Sequence, residues 1–363
     1  MKLLITGGAG FIGSTLIRFL FEANQVATDS LVNSNTHTVN SIDSDVLDAV
    51  QSLHITNVDK LLLHPNQVSC NGIDQNAKLY TFEYLDITNK DKLRSVFSSF
   101  NPDAIIHLAA ETHVDKSILY PEEFINTNVL GTLNLLELSL EQWQRRDRPE
   151  NFRFLHVSTD EVFGSLGPIG SFTEDSCYAP RNPYSCSKAA SDHLVSTWYE
   201  TYGLPVIISN CSNNFGPYQF PDKLIPKTIF RALDNQTIPI YGSGLQIRDW
   251  INVRDHVEAL MTILLRGRIG QSYNVGAKNE LTNLKVVEGI CTIIDDLRTS
   301  NSPHSKLIVH IKDRLGHDTR YSINPSRVNN EIGWYPRISF QDGLISTVEW
   351  YLRNESWWRQ FVK

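Results

Sequence analysis

Short apolar runs alternate with longer amphipathic stretches along the first two thirds of the chain. The short runs predict strands at residues 3–6, 55–59, 80–84, 104–108, 152–157 and 206–209. The stretches between most of them predict helices, for example at residues 91–100 and 182–202. Strands and helices in alternation are typical of a parallel sheet that is covered by helices on both faces, so we predict an α/β fold.

Two parts of the chain depart from this alternation. After about residue 210, short segments such as "IPIYGSG" and "IRDWINV" are separated by turns, and helices follow near residues 283–297 and 340–352. This pattern predicts a smaller lobe of mixed structure. Residues 23–54 are rich in Asn, Ser, Thr and Asp, which predicts an inserted loop with room for one short helix.

Composition and charge narrow the class of protein. The chain has 363 residues, of which 41% are hydrophobic and 20% charged, as is usual for one large globular domain or two. A net charge of −7 argues against nucleic acid as the main partner. Five scattered cysteines without a CxxC pair predict neither disulfides nor a zinc site. With no signal-peptide pattern and no long apolar run, we predict a soluble, cytoplasmic protein without a membrane partner.

A glycine-rich turn follows the first predicted strand. The segment "LLITGGAGFIGS" places Gly7, Gly10 and Gly13 between that strand and a helix. Glycine permits a tight turn and a close approach of the backbone to a pyrophosphate, and the helix N-terminus offers free N–H groups to it. In this position the pattern predicts dinucleotide binding rather than an ordinary strand-to-helix turn.

An acidic residue that binds the adenosine ribose is expected at the end of the second strand. Asp59, in "ITNVDKL", ends a well-defined strand and is preferred over Asp43, in "TVNSIDS". An acid at this place favours NAD over NADP, because it repels a 2′-phosphate. Asp86 ends the third strand and is equally compatible with the adenine pocket and with capping the helix that follows.

Tyr184 and Lys188, in "NPYSCSKAASDH", lie four residues apart on a predicted helix and share one face. A phenol with a pKa near ~10 is a poor base at neutral pH, and a neighbouring ammonium group is expected to favour the phenolate. Such a tyrosine removes the proton of a sugar hydroxyl while hydride leaves the same carbon.

Two adjacent carboxyl groups follow the fifth predicted strand, in "FLHVSTDEVFGS". Asp160 and Glu161 come directly after Ser158 and Thr159. The pair is either a solvated strand end or a site that needs an acid and a base close together, since adjacent carboxyls in a dry pocket can hold different pKa values.

Several of these segments together carry a family resemblance. "TGGAGFIG", "HLAAETHVDKS", "STDEVFG", "YSCSKAASDH" and "NCSNNFGPYQFPDKLIP" resemble the extended short-chain dehydrogenase/reductase family, and more narrowly its dTDP-glucose 4,6-dehydratase branch. "GSGLQIRDWINVRDH" and "DRLGHDTRY" extend the resemblance over nearly the whole chain outside residues 23–54.

The resemblance implies a fold. It is a Rossmann-type doubly wound parallel sheet with a smaller mixed C-terminal lobe. Residues 1–210 would form the dinucleotide-binding domain, with the insert at 23–54. Residues 211–363 would mainly form the sugar-nucleotide-binding lobe, with some segments returning to the Rossmann core. A homodimer is also implied.

The resemblance further implies NAD as cofactor, dTDP-glucose as substrate and a lyase reaction of the kind used in deoxysugar biosynthesis. Tyr184 and NAD would oxidise C4 of the sugar. Glu161 as base and Asp160 as acid would then remove water across C5 and C6, and the hydride would return to C6. Thr159 would hold the sugar beside Tyr184, and no metal is implied.

The implied binding residues fall into two sets. Those for the cofactor are Gly7, Gly10, Phe11, Ile12, Gly13, Asp59, Lys60, Leu61, Asp86, Ile87, Leu108, Ala109, Ala110, Glu111, Thr127, Tyr184, Lys188 and Asn214. Those for the substrate are Thr112, Thr159, Asn213, Lys223, Leu224, Pro239, Ile240, Tyr241, Arg248, Asn283, Asp313, Arg314 and His317. For Arg248 the guanidinium suits a diphosphate, with an ion pair to Asp249 or Asp255 as the alternative. A purely structural role is the alternative for His317.

Two other functions are compatible with part of the pattern. A 4-epimerase or decarboxylase acting on a related sugar nucleotide shares the glycine turn and the Tyr-Lys pair, but the Asp160-Glu161 pair argues against it. A catalytically silent dinucleotide-binding sensor is supported only by the insert, since Tyr184 and Lys188 are both present. The nucleobase of the substrate is left open.

Overall fold

The computed structural model describes residues 1–32, 42–61, 79–298 and 302–362. Its strands are β1 (Lys2–Thr6), β2 (His54–Asp59), β3 (Tyr80–Tyr84), β4 (Ala104–His107), β5 (Arg153–Thr159), β6 (Val206–Cys211), β7 (Asn213–Phe215), β8 (Ile238–Tyr241), β9 (Ile247–Asn252), β10 (Ser272–Val275), β11 (Glu280–Thr282) and β12 (Ile308–Ile311). Its α-helices are α1 (Phe11–Val32), α2 (Ser44–Val50), α3 (Lys90–Phe100), α4 (Val114–Leu119), α5 (Pro121–Phe124), α6 (Gly131–Arg145), α7 (Pro183–Tyr202), α8 (Leu224–Leu233), α9 (Val253–Arg266), α10 (Asn283–Leu297), α11 (Phe340–Arg353) and α12 (Glu355–Arg359).

A seven-stranded sheet in the order β10-β6-β5-β4-β1-β2-β3 forms the centre of the molecule. All of its neighbouring strands pair in parallel. The predicted α/β fold with a Rossmann-type parallel sheet is therefore confirmed. The six predicted strands are all present, and the seventh, β10, comes from the later part of the chain.

The carboxyl ends of these parallel strands meet at one edge of the sheet. The chain runs from β1 to β2 on one side and returns through β4 on the other, so a crevice opens at β1, where the order reverses. The glycine turn after β1, Asp59 at the end of β2 and Thr159 at the end of β5 all lie at this edge.

The prediction of a loop at residues 23–54 is wrong for its first part. Helix α1 continues to Val32, and α2 occupies the place of the predicted short helix. Ala23 and Ala27 lie on the buried face of α1 and pack with Val46 and Val50 of α2 in the main core. The helical spacing of these small apolar residues outweighs the polar composition around them. The middle of the predicted loop, residues 33–41, lies outside the described residues.

The later part of the chain builds a second lobe. It holds a three-stranded sheet in the order β11-β9-β7 and a two-stranded sheet of β12 and β8. An aromatic core joins these strands to α8, α10, α11 and α12, with Phe215, Trp250, Tyr351 and Trp358 among its buried residues. Helix α9 and strand β10 belong instead to the main core around α1. A domain boundary near residue 210 stays a prediction.

Among the described helices, none has the length and apolar character that crossing a lipid bilayer requires. The cytoplasmic location stays a prediction from the sequence.

Candidate active site

A cavity of about 920 Å³ lies where the edge of the large sheet faces the second lobe. It is lined by the glycine turn, by residues that follow β2, β3, β4 and β5, by Tyr184 and Lys188 of α7, and by segments of the second lobe. Of the residues predicted for the cofactor, the substrate and catalysis, all line this cavity except Asp160 and Asp313. The fold thus brings together residues that are far apart in the sequence, while their individual roles stay predictions.

The glycine turn has the geometry that a dinucleotide diphosphate requires. Gly7 has a φ of +75°, and a Cβ at this position would lie 2.6 Å from Ala109 N. A Cβ at Gly13 would lie 2.3 Å from Gly7 O. The turn is closed by the Gly10 N–H, which donates to Gly7 O at 3.0 Å. Only glycine leaves this space free, so the turn fits the backbone cradle of a nicotinamide dinucleotide.

Of the two acidic residues that the sequence suggested for binding the ribose, only Asp59 lies at the cavity. Asp59 lines the cavity, and its two carboxylate oxygens accept the N–H groups of Ala9 at 3.0 Å and of Leu61 at 2.9 Å. Asp43 instead caps α2 and pairs with Arg266 at 2.7 Å, outside the cavity lining. Burial raises the pKa of Asp59, and the backbone N–H donors oppose that shift.

A small ion-pair cluster lies beside Asp59. Lys60 Nζ is 3.4 Å from Asp86 Oδ2, 3.4 Å from Glu111 Oε1 and 3.3 Å from Thr127 Oγ1. The charge of Lys60 is therefore already compensated by two carboxylates. Such a lysine is poorly placed to compensate an added 2′-phosphate.

Asp86 does not cap the helix that follows it. The N-cap of α3 is Asn89, whose side chain accepts the Lys92 N–H. Asp86 Oδ1 accepts the N–H and the hydroxyl of Thr88 at 2.9 and 2.8 Å, and the carboxyl group faces the cavity beside Lys60. The cavity interpretation of Asp86 is thus the one compatible with its place.

The acid pair is part of a tight turn rather than a solvated strand end. β5 ends at Thr159, and a 3₁₀ turn, Asp160–Phe163, follows at once. Within it Glu161 lines the cavity, whereas Asp160 is only 1% exposed and lies behind the lining. Its Oδ1 accepts the Thr159 hydroxyl at 3.4 Å, and its Oδ2 has no hydrogen-bond partner among the described residues.

The surroundings of Asp160 and Glu161 affect the pKa values of the two carboxyl groups differently. Burial raises the pKa of Asp160 well above its usual range, and the charges of Glu161 and Asp249 raise it further, against the opposing charge of Arg248. Burial also raises the pKa of Glu161, but Arg248 is the next largest influence there and lowers it. The arrangement favours a protonated Asp160 beside a more readily ionised Glu161, as an acid and a base require.

Tyr184 and Lys188 begin a well-capped helix. The Asn182 side chain accepts the Ser185 N–H, and the Ser185 side chain reciprocates to the Asn182 backbone, a capping box that starts α7. Both functional side chains are buried and line the cavity. Lys188 Nζ donates to Val157 O at 2.8 Å and lies 3.3 Å from His156 Nε2.

The pKa of Tyr184 depends on the groups that surround its phenol. Burial raises the pKa of Tyr184 well above its usual value, and Glu161 and Cys211 raise it further. The ammonium group of Lys188 is directed to the backbone of β5 and to His156 instead of to the phenol. Lys188 is not among the main influences on the pKa of Tyr184, so its effect on the phenolate stays a prediction.

On the substrate side, the Arg248 guanidinium is held by carbonyl groups. It donates to Ile247 O at 2.8 Å and to Asp318 O at 3.0 Å. The alternative ion pairs are absent among the described residues, since Asp249 and Asp255 accept backbone N–H groups instead. In the part of the chain that the structure describes, no carboxylate forms an ion pair with Arg248, which lines the cavity as a diphosphate-binding residue would.

One predicted substrate residue, Asp313, and one predicted cofactor residue, Asn214, have their side chains bound by neighbouring groups of the protein. Asp313 does not line the cavity, and its Oδ1 lies 2.6 Å from His317 Nδ1, so it orients the histidine that does. The Asn214 side chain donates to Ser212 O and lies 2.8 Å from His256 Nδ1, so its amide serves the protein rather than the cavity. The carboxyl group of Asp313 and the amide group of Asn214 hydrogen-bond to other residues of the protein. The spacing of residues in the sequence does not reveal these contacts.

Sequence reasoning missed other residues at the cavity. Asp115 accepts from Arg314 at 2.5 Å and from the Tyr241 hydroxyl at 3.2 Å, and so fixes two predicted substrate residues. Lys227 also lines the cavity. It lies four residues after Lys223, the N-cap of α8, a spacing that in a predicted helix would have placed both lysines on one face.

Comparisons with known proteins agree with this site. The family model described as GDP-mannose 4,6 dehydratase matches residues 4–347. A relative from Sinorhizobium fredii, named probable dTDP-glucose 4,6-dehydratase, is 46% identical over 99% of this chain and 95% of its own length. The structure of dTDP-glucose 4,6-dehydratase from Bacillus anthracis in complex with NAD is 37% identical, with a TM-score of 0.81 over 99% of both chains.

The corresponding enzyme from Streptomyces venezuelae, also solved with NAD bound, is 36% identical, with a TM-score of 0.82 over 99% of both chains. The matches span nearly the whole chain and include the motifs that carried the resemblance. That resemblance is confirmed, and the chain belongs to the dTDP-glucose 4,6-dehydratase family.

Proposed function

We propose that this protein is an NAD-dependent lyase that converts dTDP-glucose to dTDP-4-keto-6-deoxyglucose. The observation that carries the proposal is the turn at Asp160 and Glu161, which follows β5 beside Tyr184 and puts one carboxyl in the cavity and one behind it. Elimination of water needs an acid and a base of this kind, and the names of the relatives support the same reaction.

NAD would be held by the glycine turn, by Asp59 at the ribose and by the residues that follow β3 and β4. When bound, it supplies a reversible hydride acceptor, which takes hydride from C4 of the sugar and returns it to C6. The residues of the chain bind it, exclude water from it and move the protons. Because the hydride returns, the cofactor is not consumed.

Tyr184 would take the proton of the C4 hydroxyl. Since burial and Glu161 raise the pKa of this phenol, additional positive charge near it is needed for the transfer. Lys188 lies one helical turn away on the same face of α7 and is the residue of the chain that would provide part of that charge.

Glu161 would then accept the C5 proton, which the neighbouring C4 ketone makes acidic. Asp160 would give its proton to the C6 oxygen, which leaves as water, and the C5–C6 double bond takes up hydride at C6 and a proton at C5. Two protons are removed, from the C4 oxygen and C5, and two are returned, to the departing oxygen and C5. The pKa directions of the two carboxyls fit this division.

The experiment that tests the function is direct. The purified protein is incubated with dTDP-glucose and, separately, with UDP-glucose, and products are followed by mass spectrometry and NMR. Loss of one water with formation of a 6-deoxy methyl group is the expected result for dTDP-glucose. A C4 epimer without loss of water would identify an epimerase, and no turnover by a protein that binds NAD would identify a sensor.

The cofactor preference is a separate prediction. We expect NADP to bind at least about tenfold more weakly than NAD, because Asp59 meets the 2′-position and Lys60 is already paired. Calorimetric titration of the apoprotein with each cofactor measures the difference. Asp59→Asn should reduce the difference in affinity between NAD and NADP. Asp43→Asn, which changes the acid outside the cavity, should leave that difference unchanged. Equal or tighter binding of NADP to the unmodified protein contradicts the assignment of Asp59.

We further propose that two chains associate through the surface around α4, α5 and the π-helical turn Ile125–Leu130. Leu119, Tyr120, Ile125 and Leu130 are all exposed there, an unusual run of apolar side chains. Light scattering should give twice the chain mass of 41.2 kDa. Ile125→Asp should then yield a monomer. Ile169→Asp is the control: Ile169 is 84% exposed but lies in a loop outside this surface, so its replacement should leave the dimer intact. A monomeric unmodified protein contradicts the proposal.

A further inference from the structure

A buried polar cluster lies behind the catalytic helix and is not explained by the proposed reaction. Its centre is the Lys188 ammonium, with Asp192 one turn later on α7 and His156 opposite on β5. Asp192 and His156 are at most 1% exposed, and neither lines the cavity. Burying an ammonium group and a carboxyl group away from water is costly, so the arrangement calls for a function.

The carboxyl group of Asp192 is held tightly in place. Its Oδ2 accepts the hydroxyls of Ser158 at 2.7 Å and Tyr178 at 2.9 Å and the amide of Asn210 at 3.4 Å. These donors come from β5, from the loop before α7 and from β6, so three segments fix one carboxylate. Hydrogen bonds to a charged oxygen stabilise that charge in a dry site.

His156 joins Asp192 to Lys188. Its Nε2 lies 3.1 Å from Asp192 Oδ1 and 3.3 Å from Lys188 Nζ. Burial lowers the pKa of His156 to about 4, so the ring is neutral at physiological pH. A neutral ring either accepts from the ammonium through Nε2 or donates from Nε2 to the carboxylate, and in both tautomers it fills the space between the two charges.

Among the described residues, the other titratable groups around Lys188 favour neutral forms and so do not replace the charge of Asp192. His107, on β4, has its ring centre 5.1 Å from that of His156, and burial lowers its pKa well below the usual value. Cys211, on β6, is a thiol whose pKa burial raises to about 12. Tyr184 and Asp160, on the cavity side, both have raised pKa values and favour their neutral forms.

We propose that Asp192, together with His156, is a positioning residue for Lys188: it supplies the counter-charge that keeps the buried ammonium protonated and anchored beneath Tyr184. The kinetic part of this inference rests on the proposed function. Burial lowers the pKa of Lys188, and Asp192 is the largest influence that raises it. Without that carboxylate, the lysine would lose its proton at a lower pH.

Asp192→Asn tests the inference, because the amide keeps the size of the side chain and an oxygen for the Ser158 and Tyr178 hydroxyls. Lys188 titration is followed by NMR in holoenzyme labelled with ¹⁵N at the lysine side chains, with Lys188→Arg to assign the signal. We expect the Lys188 pKa to fall by about one unit or more. The alkaline limb of the kcat profile should move to lower pH by the same amount, with KM nearly unchanged.

A matched control is Asp255→Asn. This carboxyl group is also buried, but it accepts the backbone N–H groups of Arg337 and Ile338 on the far side of the main core. Its replacement should lower stability without moving the Lys188 signal or the alkaline limb.

The two possible failures are distinguishable. An unchanged Lys188 titration in Asp192→Asn overturns the inference, whatever the activity. If the titration shifts but the unmodified protein does not dehydrate dTDP-glucose, the proposed function fails and the positioning role stands. Should Asp192→Asn not fold, Asp192→Ser removes the same counter-charge, and an unchanged Lys188 titration in that variant overturns the inference equally.

Discussion

The variant Asp160→Asn with Glu161→Gln is expected to stop water loss while still allowing oxidation at C4. The amides keep the size of both side chains but can neither give a proton to the C6 oxygen nor take one from C5. General acid–base groups typically contribute ~10²–10⁴-fold each, so formation of the 6-deoxy product should fall by at least that much. Tyr184 and Lys188 remain, so reduced cofactor should accumulate.

Single-turnover kinetics with enzyme in excess measures this directly. Absorbance of the reduced nicotinamide should rise and persist, and the bound sugar should be a 4-keto hexose that retains its C6 hydroxyl. The two single variants separate the roles further. In D₂O, Asp160→Asn should still exchange the C5 proton of the oxidised sugar, whereas Glu161→Gln should not.

A second acidic pair in the chain provides the control. Glu174 and Asp175 are also adjacent, but they face Arg327 and do not line the cavity. Glu174→Gln with Asp175→Asn should therefore dehydrate at the normal rate. Normal product formation by the Asp160/Glu161 variant would show that the pair has no catalytic role. If the variant keeps its fold and its NAD binding but forms neither reduced cofactor nor product, the pair also acts in the first step.

Tyr184→Phe is expected to abolish the reaction at its first step. The change removes the oxygen that takes the C4 proton, and a loss of at least ~10²–10⁴-fold in turnover is expected for such a group. The ring is retained, so its edge contact with Phe124, at 6.4 Å between centroids, is retained as well. Neither product nor reduced cofactor should form in a single turnover, in contrast to the acid-pair variant.

Tyr273→Phe is the matched control for loss of a buried hydroxyl. Tyr273, on β10, is fully buried, and its hydroxyl accepts the Arg268 N–H at 2.9 Å, remote from the cavity lining. This variant should lose about 1 kcal/mol of stability and keep its activity. Near-normal turnover of Tyr184→Phe, with circular dichroism and melting temperature unchanged, would mean that another group starts the oxidation.

The large sheet could be predicted because its strands are buried on both faces. Strands such as Ala104–His107 and Val206–Cys211 are covered by helices on each side and are therefore continuous short apolar runs. The glycine turn was equally predictable, since backbone contacts of 2.3 to 2.6 Å exclude any Cβ at Gly13 and Gly7. The short segment at β10 was missed because its neighbour in the sheet, β6, is distant in sequence.

Helix α1 shows where composition misled the prediction. Its second half carries many polar residues, which argued for a loop, but Ala23 and Ala27 keep its buried face continuous. Whether small residues such as alanine lie in a core depends on what packs against them. Here the partner is α2, which packs against α1. In the sequence the two helices are separated by residues 33–41, which lie outside the described residues.

The sequence by itself determined the family, the parallel sheet and the types of group at the cavity, because these depend on short motifs and on local periodicity. Only the tertiary structure decided the state of those groups. It placed Asp59 at the cavity and Asp43 outside it, put Asp160 behind the lining and Glu161 within it, and directed Lys188 to His156 rather than to the phenol. The physical reason is that burial and the distance to other charges set a pKa and a hydrogen-bond partner, and both are properties of residues brought together from distant parts of the chain.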